Sequence, residues 1–128
     1  MNILELKIIF GDCEITPDKI IIKGNLAKTI DFVKKNYGFE ILKEIIAVDY
    51  QEKGIELTYH LYSPDDEEDA LISIFVKDEA ESIVSVFDSA AADEKEIYDL
   101  FGIKFIGNEE LKRLYMPENW DGHPLKKD

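Results

Sequence analysis

A strict alternation of apolar and polar residues across residues 55–62 constrains the fold more than any other feature of this sequence. The apolar members stand at every second position: Ile55, Leu57, Tyr59 and Leu61. Because side chains of a β-strand project alternately to its two faces, this period of two is typical of a strand with one buried face. Gly54 precedes the segment and a Pro- and Asp-rich turn at residues 64–69 follows it. The chain is therefore expected to build a sheet with a covered face.

Five other segments have the β-branched or apolar composition of strands. They are residues 3–10, residues 19–24, a buried strand that enters at Ile45, residues 71–76 and residues 83–87. The first two are expected to pair, since residues 16–18 have the composition of a turn. The segments at 55–62, 71–76 and 83–87 follow one another through short connections. This order predicts an antiparallel meander.

Two segments carry the signals of helices. Apolar residues of the first recur at spacings of four, three and four: Leu26, Ile30, Val33 and Tyr37. Asn25 is suited to cap its start and Gly38 to cap its end. The second helix is expected at residues 90–101, capped by Asp88 or Ser89 and closed by Gly102. Its apolar stripe comprises Ile97, Leu100 and Phe101. A third, short helix is expected at residues 109–114.

These elements predict an α+β domain with two layers. One layer is a mainly antiparallel mixed sheet, and the other contains an amphipathic helix after the first strands and a second helix after the last strand. Residues 1–107 are expected to form the domain body. Residues 108–128, which show no periodicity after the short helix, are expected to form an irregular C-terminal arm of the same domain.

The charge balance excludes two classes of partner. The chain has 128 residues and a net charge of −13, and residues 61–110 hold 15 acidic residues against three basic ones. A nucleic-acid binder needs a basic face, and an anionic membrane attracts basic segments, so neither partner is expected. No segment approaches the roughly 20 apolar residues of a membrane span, and the first residues lack a signal-peptide pattern. The sequence predicts no direct membrane insertion and a cytosolic location.

Candidate catalytic and metal-binding groups are few. His60 stands among the polar positions of the alternating strand, where a surface or second-face location is expected, and His123 lies between a glycine and a proline. The single Cys13 forms no intrachain disulfide and is expected to be a buried thiol. Residues 65–69 lack the EF-hand pattern and are expected to form a solvated turn. With no nucleophile, phosphate or metal-ligand motif, the sequence predicts no catalytic residue, no metal and no cofactor.

Two features of the sequence remain as candidates for a functional role. In the second helix, Glu96 and Asp99 are three residues apart and can share one face. The alternative is a solvated acidic face above an apolar underside. The arm carries Tyr115, Met116 and Trp120 without regular structure, so it is expected to bury them against its own domain or against a partner protein.

The motifs of these two features resemble a known family. EKEIYDLFGI at residues 94–103, followed by LKRLYMPENWDGHPLKKD at residues 111–128, closely resembles the 30 kDa subunit family of respiratory complex I. That family comprises the C-type subunit of NADH–quinone oxidoreductase and its counterparts in membrane-bound, energy-converting nickel–iron hydrogenases. Residues 47–50 and 57–61 also resemble its central strands. The likeness extends from about residue 39 to the end of the chain.

The resemblance implies a structural or assembly subunit without cofactors or catalytic activity of its own. It would lie on the cytoplasmic face of the membrane, packed on a large catalytic subunit of the quinone-site or nickel–iron type and near an iron–sulfur subunit. Electron transfer coupled to ion translocation would belong to the whole complex. By position in the motifs, the candidates for the partner interface are Glu94, Glu96, Asp99, Phe101, Arg113, Trp120 and His123.

Several positions depart from the family pattern. Lys95 replaces the usual Arg, Ala91 and Ala92 stand where Asn and Trp are usual, and Asn108 stands where His is usual. These departures and the short chain favour a hydrogenase-type complex, although a respiratory complex is also open. A free-standing soluble binding or adaptor module with the same fold is the alternative of a different class. An enzyme with His123 as its acid–base group is disfavoured, because no partner group is visible in the sequence.

Overall fold

The computed structural model describes residue 11 and residues 13–108 as an α+β fold. Its strands are β1 (Cys13–Ile15), β2 (Ile20–Ile22), β3 (Ile41–Asp49), β4 (Ile55–Ser63), β5 (Glu68–Val76), β6 (Glu79–Glu81) and β7 (Lys104–Ile106). Its helices are α1 (Leu26–Tyr37), α2 (Ala90–Phe101) and a short 3₁₀ turn (Gln51–Lys53). The predicted strand at residues 3–10, the helix at residues 109–114 and the rest of the arm lie outside the described residues.

A five-stranded mixed sheet forms one layer of the described chain, with the strand order β1-β2-β5-β4-β3. Strands β2 and β5 pair in parallel, and the other three neighbouring pairs are antiparallel. Helices α1 and α2 contribute buried side chains to a core shared with one face of the sheet. The α+β class and the mixed, mainly antiparallel sheet are therefore as predicted from sequence.

Strand β4 lies at the centre of the meander and is buried on both faces. Leu57, Tyr59 and Leu61 are fully buried on the core face, as the alternation predicts. On the second face, Thr58 is 8% exposed and its hydroxyl is 2.7 Å from that of Ser73 on β5. The expectation of a single buried face was therefore wrong. A hydroxyl pair that is mutually hydrogen-bonded can be buried at low cost, and the sequence pattern alone does not reveal that pairing.

Strand β3 differs from its prediction as a buried strand. It begins at Ile41, before the expected entry at Ile45, and among the described strands it is an edge strand that pairs with β4. Its side chains alternate, so that Ile45 is buried while Ile46 and Val48 are 41% and 40% exposed. An apolar composition does not distinguish an edge strand from a central one, because that distinction is set by the neighbours that the fold supplies.

Helix α1 has the predicted limits, although its start is not capped as expected. Gly38 adopts the left-handed conformation (φ 74°) that commonly ends a helix. Asn25 holds the N-terminal position with φ 55°, but its side chain makes no capping hydrogen bond. Instead, its carbonyl oxygen accepts the backbone N–H of Thr29 at 2.9 Å and the hydroxyl of Thr29 at 2.7 Å. Asn25 therefore contributes through its backbone, in a conformation that Asn tolerates better than most residues.

Residues 83–87 form a turn, and their prediction as a strand was wrong. The carbonyl of Ile83 accepts the backbone N–H groups of Val86 and Phe87, at 2.9 and 2.8 Å. Ile83 and Phe87 are nevertheless buried, which explains why the run is apolar. The meander consists of β3, β4 and β5 instead. A short apolar run is compatible with either a strand or a buried turn, and the local hydrogen bonds decide between them.

A second, two-stranded parallel sheet flanks helix α2 in sequence. Strand β6 precedes the helix and β7 follows it, with Ala80 opposite Phe105. The helix was predicted to follow the last strand, and β7 corrects that order. Gly102 ends the helix in the left-handed conformation (φ 78°), as expected. This arrangement places the start of α2, the turn after β6 and the end of β7 beside one another.

Candidate functional site

The carboxylate of Glu94 connects three parts of the chain at the start of the resemblance motif. Glu94 is fully buried, and its Oε1 accepts the hydroxyl of Ser82 at 2.7 Å and the amide Nδ2 of Asn108 at 3.1 Å. Its Oε2 accepts the backbone N–H of Ile83 at 2.9 Å. One side chain of α2 thus holds the turn after β6 and the residue that follows β7.

The turn after β6 is shaped to meet this carboxylate. Ser82 Oγ donates to Glu94 and accepts the backbone N–H of Val84 at 3.2 Å. The carbonyl of Ile83 accepts hydrogen bonds from the backbone N–H groups of Val86 and Phe87, and these bonds close the turn. The N–H of Ile83 then faces the helix, where Glu94 accepts it. Because a buried N–H without an acceptor costs about 1–3 kcal/mol, Glu94 satisfies a group that would otherwise destabilise the turn.

Burial governs the electrostatics of this site. Burial raises the pKa of Glu94, an effect opposed by the hydrogen bonds from Ser82, Ile83 and Asn108 and reinforced by the negative charge of Asp93. Burial also raises the pKa of Tyr59, with smaller contributions from the charges of Glu94 and Glu81. Among the described residues, the Tyr59 hydroxyl has no hydrogen-bond partner. A carboxylate enclosed by the chain's own donors is suited to hold structure and not to meet a substrate.

The neighbouring Asp93 lies where α2 packs against β3. Burial raises the pKa of Asp93, and the negative charges of Glu96 and Glu44 raise it further, an effect that the nearby backbone of Ile45 partly opposes. Helix α2 therefore packs against β3 on one side, and Glu94 fixes it to the turn after β6 on the other.

The structure separates the candidates predicted from the motif helix. Asp99 is fully buried and Phe101 is 8% exposed, whereas Glu96 is exposed. Glu96 and Asp99 therefore do not share a solvent-exposed face, and the alternative of a wholly solvated acidic face also fails for Glu94 and Asp99. Arg113, Trp120 and His123 lie outside the described residues.

The remaining polar groups that the sequence singled out lie at the surface or near it. His60 Nε2 is 2.8 Å from Asp69 Oδ1 on the second face of the sheet, as expected for a surface or second-face residue. That hydrogen bond, together with Lys43, lowers the pKa of Asp69. Residues 64–67 form an exposed turn, as predicted, but Glu68 and Asp69, which were expected in that turn, are exposed residues at the start of β5. Cys13 was expected to be buried, but on the short strand β1 it is only half-buried where it packs against the core.

Neither a metal cluster nor a membrane helix occurs in the described part of the chain. Within residues 13–108, no group of three or more His, Cys, Asp or Glu side chains is arranged to hold a metal ion. The helices in this same range are too short and too polar to cross a membrane.

Comparison with known proteins decides the family. The family model described as the respiratory-chain NADH dehydrogenase 30 Kd subunit matches residues 20–128. The chain belongs to this family. The resemblance seen in residues 94–103 and 111–128 is confirmed, and the match extends further towards the N-terminus than those motifs. Members of the 30 kDa subunit family are subunits of NADH–quinone oxidoreductase, which is a complex of several subunits.

Individual relatives agree with the family match. The C-type subunit of the NADH-quinone oxidoreductase of Moorella thermoacetica is 33% identical, over 98% of this chain and 91% of the relative. The chloroplastic J-type subunit of the NAD(P)H-quinone oxidoreductase of Lemna minor is 40% identical, over 72% of this chain and 63% of the relative. The combined C/D subunit of the NADH-quinone oxidoreductase of Phocaeicola vulgatus is 32% identical, over 70% of this chain but 18% of that longer protein.

Reasoning from sequence missed the buried partners of the 30 kDa subunit motif, although one signal was present. The buried residues of α2 include four at spacings of four, three and four: Ala90, Glu94, Ile97 and Phe101. This is the spacing that identified α1, and it places Glu94 on the buried stripe. Ser82 and the Ile83 amide carry no comparable signal, because their contacts with Glu94 join a turn to a helix more than ten residues further along the chain.

Proposed function

We propose that this chain is a structural subunit of an NADH–quinone oxidoreductase-type complex and packs on the large catalytic subunit without reacting itself. One observation carries the proposal. The acidic centre of the family motif, Glu94, is fully buried, and its oxygens accept hydrogen bonds from the chain's own Ser82, Ile83 and Asn108. A group enclosed in this way positions the helix and the turn that meet a neighbour, and it is closed to a substrate.

The combined C/D relative supports the choice of partner. In that protein, the matched region makes up 18% of the length, and the name joins a C-type subunit to a D-type subunit in one chain. Two subunits joined in one chain raise each other's effective concentration, so a neighbouring position in the complex is favoured. We propose that the D-type subunit is the large catalytic subunit against which this chain packs, with an iron–sulfur subunit nearby.

In this proposal, the chain is a peripheral subunit on the cytoplasmic face of the membrane. It supports electron transfer and coupled ion translocation only as part of the whole complex. The relatives named above are quinone oxidoreductase subunits, which favours that type over the hydrogenase type suggested by Lys95 and Asn108. Residues 1–107 would form the domain body, and the arm at residues 108–128 would carry Arg113, Trp120 and His123 to the interface.

Affinity purification of the tagged, full-length chain from solubilised native membranes tests the proposal. We expect the other subunits of the oxidoreductase to be recovered with it and to be identified by mass spectrometry. Recovery of the chain only as a soluble monomer would support the free-standing adaptor instead. Recovery with a nickel–iron large subunit would select the hydrogenase type.

The cofactor-free role needs a separate measurement on the isolated chain. We expect the purified subunit to contain no iron, flavin or nickel and to oxidise neither NADH nor hydrogen. Iron bound in stoichiometric amount, together with a visible absorbance band, would contradict this part of the proposal.

A further inference from the structure

The face of the sheet opposite the helices carries an exposed apolar strip along β3. We define the β3 strip as Ile46, Val48, Tyr50 and Phe75, which are 41%, 40%, 49% and 39% exposed. Val48 pairs with Glu56 and Glu56 pairs with Phe75, so the two apolar side chains stand on either side of the buried Glu56, which is ion-paired with Lys19. The rings of Tyr50 and Phe75 are in contact, with centroids 5.9 Å apart. Exposed positions of a sheet are normally polar, so four large apolar side chains with this exposure are unusual.

Acidic side chains stand at one end of the strip. Glu44 is an exposed residue of β3, two residues before Ile46 and therefore on the same face of the strand. Asp93 lies in the first turn of α2 and Glu96 about one turn further along the helix. Burial raises the pKa of Asp93, and the negative charges of Glu96 and Glu44 raise it further. Lys43, adjacent to Glu44 in sequence, contacts Asp69 at 3.4 Å and the Tyr62 ring at 4.5 Å. Glu44 thus stands on the face of the strip, while Asp93 and Glu96 approach the same edge strand from the helix layer.

The geometry disfavours a second copy of the chain as the occupant. An exposed edge strand invites another edge strand to add to the sheet through its backbone. At β3, however, helix α2 packs against this strand. A second acidic copy would also bring further negative charge to Glu44, Asp93 and Glu96. A heterologous partner that packs on the face of the strip avoids both problems.

We propose that the β3 strip docks an apolar segment of a neighbouring subunit, whose Arg or Lys side chain meets Glu44, Asp93 and Glu96. This inference rests on the proposed function, since it names the surface by which the chain enters the complex. The apolar side chains supply buried area, and the acidic group selects a basic partner by charge complementarity. The proposed interface therefore comprises the edge of β3 and the N-terminal half of α2. The buried Glu94 lies next to this interface and does not contact the partner.

Variants of the full-length chain test this surface in the co-purification experiment. One variant combines Ile46→Ser with Val48→Ser, and the other combines Glu44→Lys with Glu96→Lys. We expect each to reduce the recovery of neighbouring subunits by about tenfold or more, which corresponds to the loss of one strong interface contact. The matched control for the apolar pair is Ile15→Ser with Ile106→Ser, two side chains exposed by 49% and 52%. The control for the charges is Asp65→Lys with Asp66→Lys.

A photo-crosslinking residue at position 46 of the otherwise native chain gives a second readout that does not depend on how the variants fold. We expect it to form a crosslink to an apolar segment of a neighbouring subunit that also carries an Arg or Lys residue, whereas the same residue at position 15 does not. Undiminished recovery with the strip variants, or a crosslink from position 46 to a second copy or to lipid, overturns the inference and leaves the proposed function standing. If the unaltered chain recovers no other subunit, both fail.

Discussion

Glu94 is a residue whose burial is explained by its hydrogen bonds and not by an opposite charge. Its partners Ser82, Ile83 and Asn108 are all donors at distances of 2.7 to 3.1 Å. Burial disfavours the charged form, and these donors favour it. An amide at this position would replace one acceptor oxygen with a donor, so glutamine is not an adequate substitute even though it has the same shape.

We therefore expect Glu94→Gln to lower the free energy of unfolding by about 1–3 kcal/mol and Glu94→Ala to lower it further. Urea unfolding of the purified chain measures both. The exposed neighbour offers a matched control, because Glu96→Gln is expected to change stability by less than about 0.5 kcal/mol. Equal losses of stability at positions 94 and 96 would mean that the hydrogen bonds of Glu94 make no special contribution to the free energy of unfolding.

Tyr59 presents the opposite case, a buried hydroxyl without a hydrogen-bond partner among the described residues. Its burial imposes a desolvation cost that no hydrogen bond from those residues offsets. We expect Tyr59→Phe to leave stability unchanged at pH 7 or to raise it by up to about 2 kcal/mol. A loss of more than about 1 kcal/mol in urea unfolding would show that the hydroxyl has a partner.

The same substitution gives a pH signature with a definite sign. The unfolded phenol titrates near pH 10.0, and burial raises the pKa of folded Tyr59 above that value. Above pH 10 the unfolded state therefore loses its proton first, and the native chain loses stability by about 1.4 kcal/mol per pH unit. Tyr59→Phe lacks this contribution, so the difference in stability between the two proteins should be constant at pH 7–9 and should grow above pH 10. A constant difference up to pH 11 would contradict the assignment.

Among the elements, the connection between β3 and β4 depends on one glycine. Gly54 has φ 95°, and a Cβ added there would lie 2.5 Å from the backbone oxygen of Val76. Both the left-handed backbone and the contact with another strand exclude a side chain. The connection cannot simply shift, because Tyr50 and Gly54 are also joined by a 2.9 Å backbone hydrogen bond.

We expect Gly54→Ala to destabilise the chain by about 2–4 kcal/mol, since backbone strain and a clash add together. Gly24→Ala is the matched control: a Cβ there meets nothing within 4 Å. That control is expected to stay within about 1 kcal/mol of the parent in thermal or urea unfolding. A tolerated alanine at position 54 would mean that the hairpin can be built with a different turn.

The elements also show what sequence reasoning could reach. The limits of α1 and the end of α2 could be predicted, because helical spacing and the glycines at 38 and 102 are local signals. The turn at residues 83–87 could not, because β-branched residues that fill a buried turn have the composition of a strand. The exposure of Ile46 and Val48 could not be predicted either, because it depends on the position of β3 at the edge of the sheet formed by the described strands. The burial of Glu94 could in principle be predicted, because Glu94 lies on the same helical stripe as the apolar Ile97.

At the scale of the whole molecule, acidity and exposed apolar surface have different distributions. The acidic turn at residues 64–67 is solvated, whereas Glu44 stands next to the β3 strip, and Asp93 and Glu96 lie on the helix that packs against the same strand. A chain of net charge −13 that also exposes an apolar strip is expected to need a partner that covers the strip and balances the nearby charge. The chain belongs to the 30 kDa subunit family of complex I, and the other subunits of such a complex are candidates for this partner.

The central claim is that this chain is an integral subunit of an oxidoreductase complex, and stoichiometry tests it most directly. The complex would be purified from native membranes through a tag on the large catalytic subunit, and its composition measured by quantitative mass spectrometry. We predict one copy of this chain for each large subunit, retained through size-exclusion chromatography. A ratio far below one, with most of the chain found as a free monomer, would contradict the account.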